Sequence, residues 1–265
     1  MVSRSASEAS EPSATSLALP ANRIQPETQL QLWFRNVPAA SLLRILAGKL
    51  RRRVAGRGPE FVPCIAYNGL VVFDNPEVDG GGMVCTADLA AELLSLGISR
   101  CKRVLEFGAG PGYLGYFLLA HGFCETLALS DINPRAIAAA SHTARYNQCE
   151  YLVSTYVSDC FRDVPASERF DLVVINPPAH PAPVLGSANV VDHDTDWHVH
   201  REFYSQVGRY LTPGAHVIAI EDDASSALRD FEPMIRAGGG RVFASHPILD
   251  ARGMPKTDYV IVSRW

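Results

Sequence analysis

The 265-residue sequence lacks any apolar run approaching the ~20 residues that span a bilayer, which excludes a membrane-embedded chain. It also lacks a C-x-x-C pair. Its six cysteines, at 64, 85, 101, 124, 149 and 160, stand singly in mostly apolar segments, as reduced core residues of a cytoplasmic protein do. There is no cationic excess, with 24 Lys and Arg against 28 Asp and Glu and a formal net charge of -4. The whole molecule therefore has no general attraction for polyphosphate, which counts against a nucleic-acid partner while leaving a local basic patch open. Near the start, Glu8 and Glu11 interrupt the stretch where a signal peptide needs its apolar segment, and residues 1–27 are expected to be a disordered tail. What is present is a globular composition, 47% hydrophobic and 20% charged, enough for one large domain or a domain with an appendage.

The rest of the chain is organised around Val104-Leu105-Glu106-Phe107-Gly108-Ala109-Gly110-Pro111-Gly112-Tyr113, where an apolar run stops on a carboxylate and passes into alternating glycines. That pattern predicts a strand feeding a ligand-binding turn. Gly108, Gly110 and Gly112 let the backbone turn tightly against a ligand, and Leu114 to His121 predicts a helix whose positive N-terminus faces it. Glu106 suits a ligand with a cationic or hydroxyl-bearing group better than a pyrophosphate. Counted from Gly108, the dinucleotide pattern G-x-G-x-x-G fails, because Tyr113 stands where its third glycine belongs.

Before this stretch, residues 28–50 repeat apolar positions at helical spacing, and the segment ends in Arg51-Arg52-Arg53 and Arg57. Two strands, Val62 to Tyr67 and Leu70 to Asp74, flank Asn68-Gly69, the dipeptide of a type I′ hairpin turn. Residues 28–82 form the expected N-terminal appendage, which is expected to cover the substrate and is closed by a hinge at Gly80-Gly81-Gly82, and residues 83–265 the main, ligand-binding domain. Within that domain, strands are expected at 103–107, 126–131, 151–157, 171–176, 215–221, 241–245 and 258–263, with helices between most of them. Asn133 and Pro134 cap one helix, whose Ala136, Ala140 and Ala144 make a small face for close packing on a sheet. Such alternation implies a doubly wound α/β sheet, with ligands at the carboxyl ends of its strands.

The candidate site residues gather at those ends. Asp131 ends the second strand, where an acid accepts both hydroxyls of a ribose. Asp159 follows the third, where an acid meets an exocyclic amine. The fourth strand, Asp171 to Ile175, halts on Asn176-Pro177-Pro178; neither proline continues a central ladder, and the rigid turn aims carbonyls and the Asn176 amide oxygen at one spot. Two convergent acceptors hold an N–H donor and direct its nitrogen lone pair at an electrophile.

In this order and spacing, Glu106-x-Gly108-x-Gly110-x-Gly112, Asp131, Asp159 and Asn176-Pro177-Pro178 resemble the class I S-adenosylmethionine-dependent methyltransferases over residues 83–265. The resemblance implies a seven-stranded Rossmann-like sheet ordered 3-2-1-4-5-7-6 with strand 7 antiparallel. It implies a cofactor site with Glu106, Phe107, the three glycines and Tyr113 near the methionine end, Asp131 on the ribose, Asp159 on the adenine, and Ile132 and Cys160 as walls. The Asn-Pro-Pro turn is similar to that of enzymes methylating nitrogen in adenine, guanine and glutamine side chains, and the hairpin to the substrate-binding part of release-factor glutamine methyltransferases. Those families place an aromatic residue after the prolines, whereas this chain has Ala179 followed by His180; the missing platform removes roughly 1–3 kcal/mol of base stacking.

The expected activity is therefore N-methylation of a small-molecule or peptide-like acceptor, protein glutamine being the nearest specific variant, with nucleic acid disfavoured. O- or C-methylation with His180 or His198 as base, N-methylation of protein glutamine or nucleic acid, and a non-catalytic cofactor-binding scaffold stay open as alternatives. After the turn, the segment Pro181 to Asp196 leads into Trp197, His198 and His200. It is expected to be a lid carrying His180, Trp197 and His198 to the substrate, with no metal required.

Overall fold

Buried apolar runs ending in an acid or a proline turn become the strands of one twisted sheet in the computed structural model. It describes residues 60–75, 85–98, 100–181, 193–249 and 254–265. The expected tail at 1–27, the helices at 28–50, the arginines at 51–53 and 57, the glycines at 80–82 and most of the segment after the Asn-Pro-Pro turn lie outside the described residues.

Two strands precede the sheet, β1 (Val62–Tyr67) and β2 (Leu70–Asp74), then helix α1 (Thr86–Ser95). There follow β3 (Cys101–Phe107), α2 (Tyr113–Ala120), β4 (Cys124–Asp131), α3 (Pro134–Tyr146), β5 (Val153–Val157) and β6 (Phe170–Ile175). Last come α4 (His198–Val207), β7 (Leu211–Asp222), α5 (Leu228–Ala237), β8 (Arg241–Leu249) and β9 (Pro255–Arg264). The seven-stranded sheet runs β5-β4-β3-β6-β7-β9-β8. Counted from β3, this is the expected 3-2-1-4-5-7-6, and β9 is antiparallel to both neighbours.

Because strand side chains alternate between faces, Leu105, Phe107, Val173, Ile175, Val217 and Ala219 meet Phe203, Val207, Phe231 and Ile235 of α4 and α5 in one core. Glu106 and its alternating neighbours face α2 on the other side. The parallel strands β5, β4, β3, β6 and β7 bring their carboxyl ends to one edge.

The hairpin forms as its Asn-Gly turn predicts, with positive φ of 46° at Asn68 and 90° at Gly69. It docks on the helices of the sheet domain. The Asn147 amide pairs with the Val71 backbone as a strand would, accepting from its N–H at 2.9 Å and donating to its carbonyl at 2.7 Å. Thr143 Oγ1 accepts from the Phe73 N–H, and Tyr67 is fully buried edge-on to Phe117 of α2. Among the described residues no helix is long and apolar enough to cross a membrane.

Candidate active site

The glycine turn between β3 and α2 is held from two sides. Gly108 and Gly110 have φ of 63° and 53°, and no atom lies within 4 Å of where a Cβ would stand on either, so the turn presents bare backbone to open space. Gly112 is different. Its φ is 88° and a Cβ would stand 2.9 Å from Leu129 Cδ1, so this glycine serves close packing on β4.

Three residues placed on the cofactor by resemblance turn inward. Glu106 is buried, and its two carboxylate oxygens accept the Leu114 N–H at 3.2 Å and the Gly115 N–H at 2.7 Å, in the first turn of α2. It supports the turn from beneath, and burial, opposed by those two donors, pushes its carboxyl up to about 8. The Phe107 ring lies in the core, 4.8 Å from Phe203 and 5.1 Å from Phe161. Tyr113 is buried with its hydroxyl beside Asp74 and Cys64 of the hairpin. Only the backbones of these last two flank the turn.

Asp131, half-buried at the end of β4, does reach the turn: Oδ2 accepts the Gly110 N–H at 2.7 Å and Oδ1 the Asn133 N–H at 2.8 Å. Each carboxylate oxygen keeps a further acceptor position. Burial raises its pKa despite the two donors. Ile132 beside it is 64% exposed, an apolar side chain left in the open at the strand ends. Asp159 is half-exposed and lies 3.3 Å from Arg162; Cys160, at φ 52°, packs partly on the core, where burial pushes its thiol up to about 11. Open glycine backbone, an acid with spare acceptor positions and an exposed aliphatic wall along one edge fit an adenosyl ligand with a charged tail.

Across β3 from this row, β6 ends on Asn176-Pro177-Pro178. Among the described residues nothing hydrogen-bonds the half-buried Asn176 side chain, and Pro177 is buried. His180 follows, half-buried, its carbonyl accepting the Asp194 N–H at 2.8 Å, while the Pro181 carbonyl accepts the Asp196 N–H at 3.1 Å. A short parallel bridge joins His180 to His193.

Of the expected lid residues, His198 is exposed at the first position of α4, but Trp197 packs inward, edge-on to Phe231 at 4.9 Å and to His200 at 5.2 Å. The residue that residue-type arguments passed over is His200. It is fully buried, with Nδ1 2.5 Å from Asp194 Oδ2 and Nε2 3.1 Å from Glu221 Oε1 at the end of β7. In the sequence it stands in the run of acids and histidines Asp192-His193-Asp194-Thr195-Asp196-Trp197-His198-Val199-His200, which marks a polar cluster without giving its role; Glu221 was not visible as a partner, being joined to it only through the sheet.

Fold and strand-end arrangement are those of the class I S-adenosylmethionine-dependent methyltransferases. A model of the methyltransferase small domain matches residues 67–222, more than half of the chain, and the chain belongs to that family. Curated relatives include the ribosomal RNA small subunit methyltransferase C of Haemophilus ducreyi, 29% identical over 178 residues covering 67% of this chain and 46% of the relative. The protein of the same name from Actinobacillus pleuropneumoniae serotype 3 is 34% identical over 113 residues, 41% of this chain and 30% of the relative. The chain thus spans less than half the length of these relatives. Among solved structures, a 16S rRNA N2 methyltransferase of T. thermophilus in complex with AdoMet and guanosine superposes with a TM-score of 0.56 at 20% identity. That alignment covers 78% of this chain and 51% of the other.

The relatives overturn the expectation that nucleic acid is disfavoured as a partner. A net charge of -4 describes the whole molecule, whereas recognition of RNA depends on the local surface at the site.

Proposed function

We propose that this protein transfers a methyl group from S-adenosylmethionine to a nitrogen of a nucleobase in ribosomal RNA, with the exocyclic amine of guanine as the first acceptor to test. The observation that carries it is the Asn176-Pro177-Pro178 turn, set at the end of β6 next to the glycine turn of β3, with the Asn176 side chain unengaged by any described residue. The ribosomal RNA function named for the curated relatives supports the acceptor class.

The cofactor supplies an electrophilic methyl on a sulfonium. Gly108 and Gly110 offer bare backbone to its amino-acid end, Asp131 accepts the ribose hydroxyls, and Asp159, Ile132 and Cys160 enclose the base. The Asn176 amide oxygen and the Pro177 carbonyl accept the two N–H groups of the acceptor amine, which fixes the nitrogen and turns its lone pair out of conjugation toward the methyl. Such positioning is worth several of the ~7–11 kcal/mol that orientation of reactants makes available. A nitrogen acceptor gains positive charge in transfer, and two oxygen acceptors favour that charge.

Single-turnover methyl transfer from labelled cofactor to small-subunit ribosomal RNA tests this. Asn176→Ala is expected to lower the rate by orders of magnitude with little change in cofactor affinity. Asn176→Asp keeps an acceptor and adds negative charge, so it should retain part of the activity on nitrogen. Near-wild-type rates in both variants would refute the role of the turn, and wild-type transfer to a peptide glutamine but to no RNA would refute the acceptor.

A further inference from the structure

Behind the Asn-Pro-Pro turn lies a buried ionic cluster that the chemistry above does not use. A neutral imidazole donates from one nitrogen only, yet both nitrogens of His200 face carboxylates, Asp194 at one end and Glu221 at the other. With both carboxylates ionised, both nitrogens are satisfied at once only if the ring is the imidazolium. Burial opposes that charge, but the two carboxylates outweigh it and push the ring up to about 9. Burial also acts against Asp194, where His200 and two backbone N–H groups prevail and hold its carboxyl below the usual range; Glu221 is raised by its own burial. The histidine's charge is therefore balanced chiefly by Asp194. Tyr204 of α4 and Tyr259 of β9 lie near Glu221 as further titratable groups, and Ser226 donates to it at 3.4 Å.

The cluster spans two parts of the site. Glu221 sits two residues beyond Ala219, the ladder partner of Ile175, and so beside the strand that ends at Asn176. Asp194 belongs to the strap at 193–197, whose N–H groups hold the carbonyls of His180 and Pro181. The strap needs an anchor, because Asp196 and Trp197 sit at φ 53° and 55°, left-handed conformations that cost non-glycine residues of order 1–3 kcal/mol each. The Phe231 ring stacks on His200 at 4.4 Å and closes the site from α5.

We propose that His200 is a positioning residue for methyl transfer: as the cation shared by Asp194 and Glu221, it pins the strap to the end of β7 and so fixes the tail of the Asn176-Pro177-Pro178 turn. It touches neither cofactor nor acceptor, and the proposal rests on the role given above to Asn176.

The test uses the full chain and His200→Gln, which keeps hydrogen-bonding capacity and loses the charge. Amide hydrogen exchange at Asp194 and Asp196 should quicken about tenfold or more, cofactor affinity should hold, and single-turnover transfer should fall on the order of tenfold to a hundredfold. Unchanged exchange at those two amides overturns the proposal whatever the acceptor proves to be, and faster exchange with a wild-type rate overturns it as well. A loss of transfer that merely follows lost cofactor binding also counts against it. Should the variant not fold, nitrogen–proton correlation of the histidine rings in the wild-type protein decides. One of the eight histidines should carry protons on both ring nitrogens at pH 8, and its absence refutes the shared cation.

Discussion

Replacing Asp131 with alanine should weaken cofactor binding more than any other single change at the strand ends, because this carboxylate does two jobs. Its Oδ2 holds the Gly110 N–H at 2.7 Å and its Oδ1 the Asn133 N–H at 2.8 Å, which leaves one acceptor position on each oxygen facing the cleft. Two ribose hydroxyls on those positions contribute roughly 1.5–3 kcal/mol each as hydrogen bonds to a charged group, roughly 3–6 kcal/mol together. Part of this returns when water takes the place of the carboxylate and solvates the ribose hydroxyls, so an affinity loss on the order of a hundredfold is the conservative expectation. Asp131→Asn should fall between the two. It keeps the shape but has one oxygen for two backbone donors, so its NH2 group opposes the N–H of either Gly110 or Asn133. Calorimetric titration with S-adenosylmethionine reads both variants, with circular dichroism to establish that each is folded. A dissociation constant within about threefold of wild type for the folded alanine variant would refute the ribose assignment.

Two further outcomes follow from the packing and charge. Gly115→Ala should lower the melting temperature although alanine is the better helix former by about 1 kcal/mol, because the new Cβ would stand 2.8 Å from Glu106 Oε2, Leu127 Cδ1 and Leu129 Cδ2 and overpacking costs ~1–3 kcal/mol; a higher melting temperature would show that α2 can lift off the sheet freely. Stability should also decline from mildly acidic to alkaline pH. His200 is raised from 6.5 to about 9, so its contribution is complete below pH 6.5 and lost as pH rises through about 9. Glu106, raised from 4.5 to about 8, acts in the same direction, its contribution being lost as pH rises through about 8. Thermal unfolding at stepped pH checks this. The decline between pH 7 and 9 should be shallower in His200→Gln, and a flat wild-type profile would mean that neither group is charged as described.

The sheet was legible in the sequence because a parallel strand buried on both faces is a continuous apolar run, and here each run ends on a residue that cannot extend it: Phe107 before glycine, Ile175 before Asn-Pro-Pro. Ends were less legible where polar residues pair. β7 begins at Leu211 rather than 215, and β8 reaches Leu249 through Pro247, which an edge strand tolerates. The strand ends that carry the candidate residues were legible in position, and the contacts of those side chains only partly. Motif spacing placed Glu106, Phe107 and Tyr113 beside the ligand turn, but whether a side chain faces the turn or the core depends on what packs there, and Gly115 lets α2 approach closely enough to claim the Glu106 carboxylate. Nucleic acid was disfavoured for a related reason: net charge and the absence of an aromatic at Ala179 are properties of composition and of one position, and neither fixes the local surface at the site.

Three acids stand at or near strand ends along this edge, and their different fates show what strand-end position does and does not determine. Glu106, Asp131 and Glu221 terminate β3, β4 and β7 within the same few residues of their strands, and Glu106 and Glu221 are equally buried. Glu106 meets N–H groups of a helix start, Asp131 the N–H of a glycine turn and of Asn133, and Glu221 a histidine from α4. Glu106 and Asp131 each accept one N–H per oxygen, so burial separates them: the buried Glu106 supports structure, and the half-buried Asp131 keeps acceptor capacity toward solvent, whereas Glu221 meets the charged side chain of His200. Of the three, only Asp131 combines partial exposure with spare acceptors, so substitution there should change cofactor affinity directly. Changes at Glu106 or Glu221 should reach the cofactor and acceptor only through the geometry of the glycine turn and of Asn176.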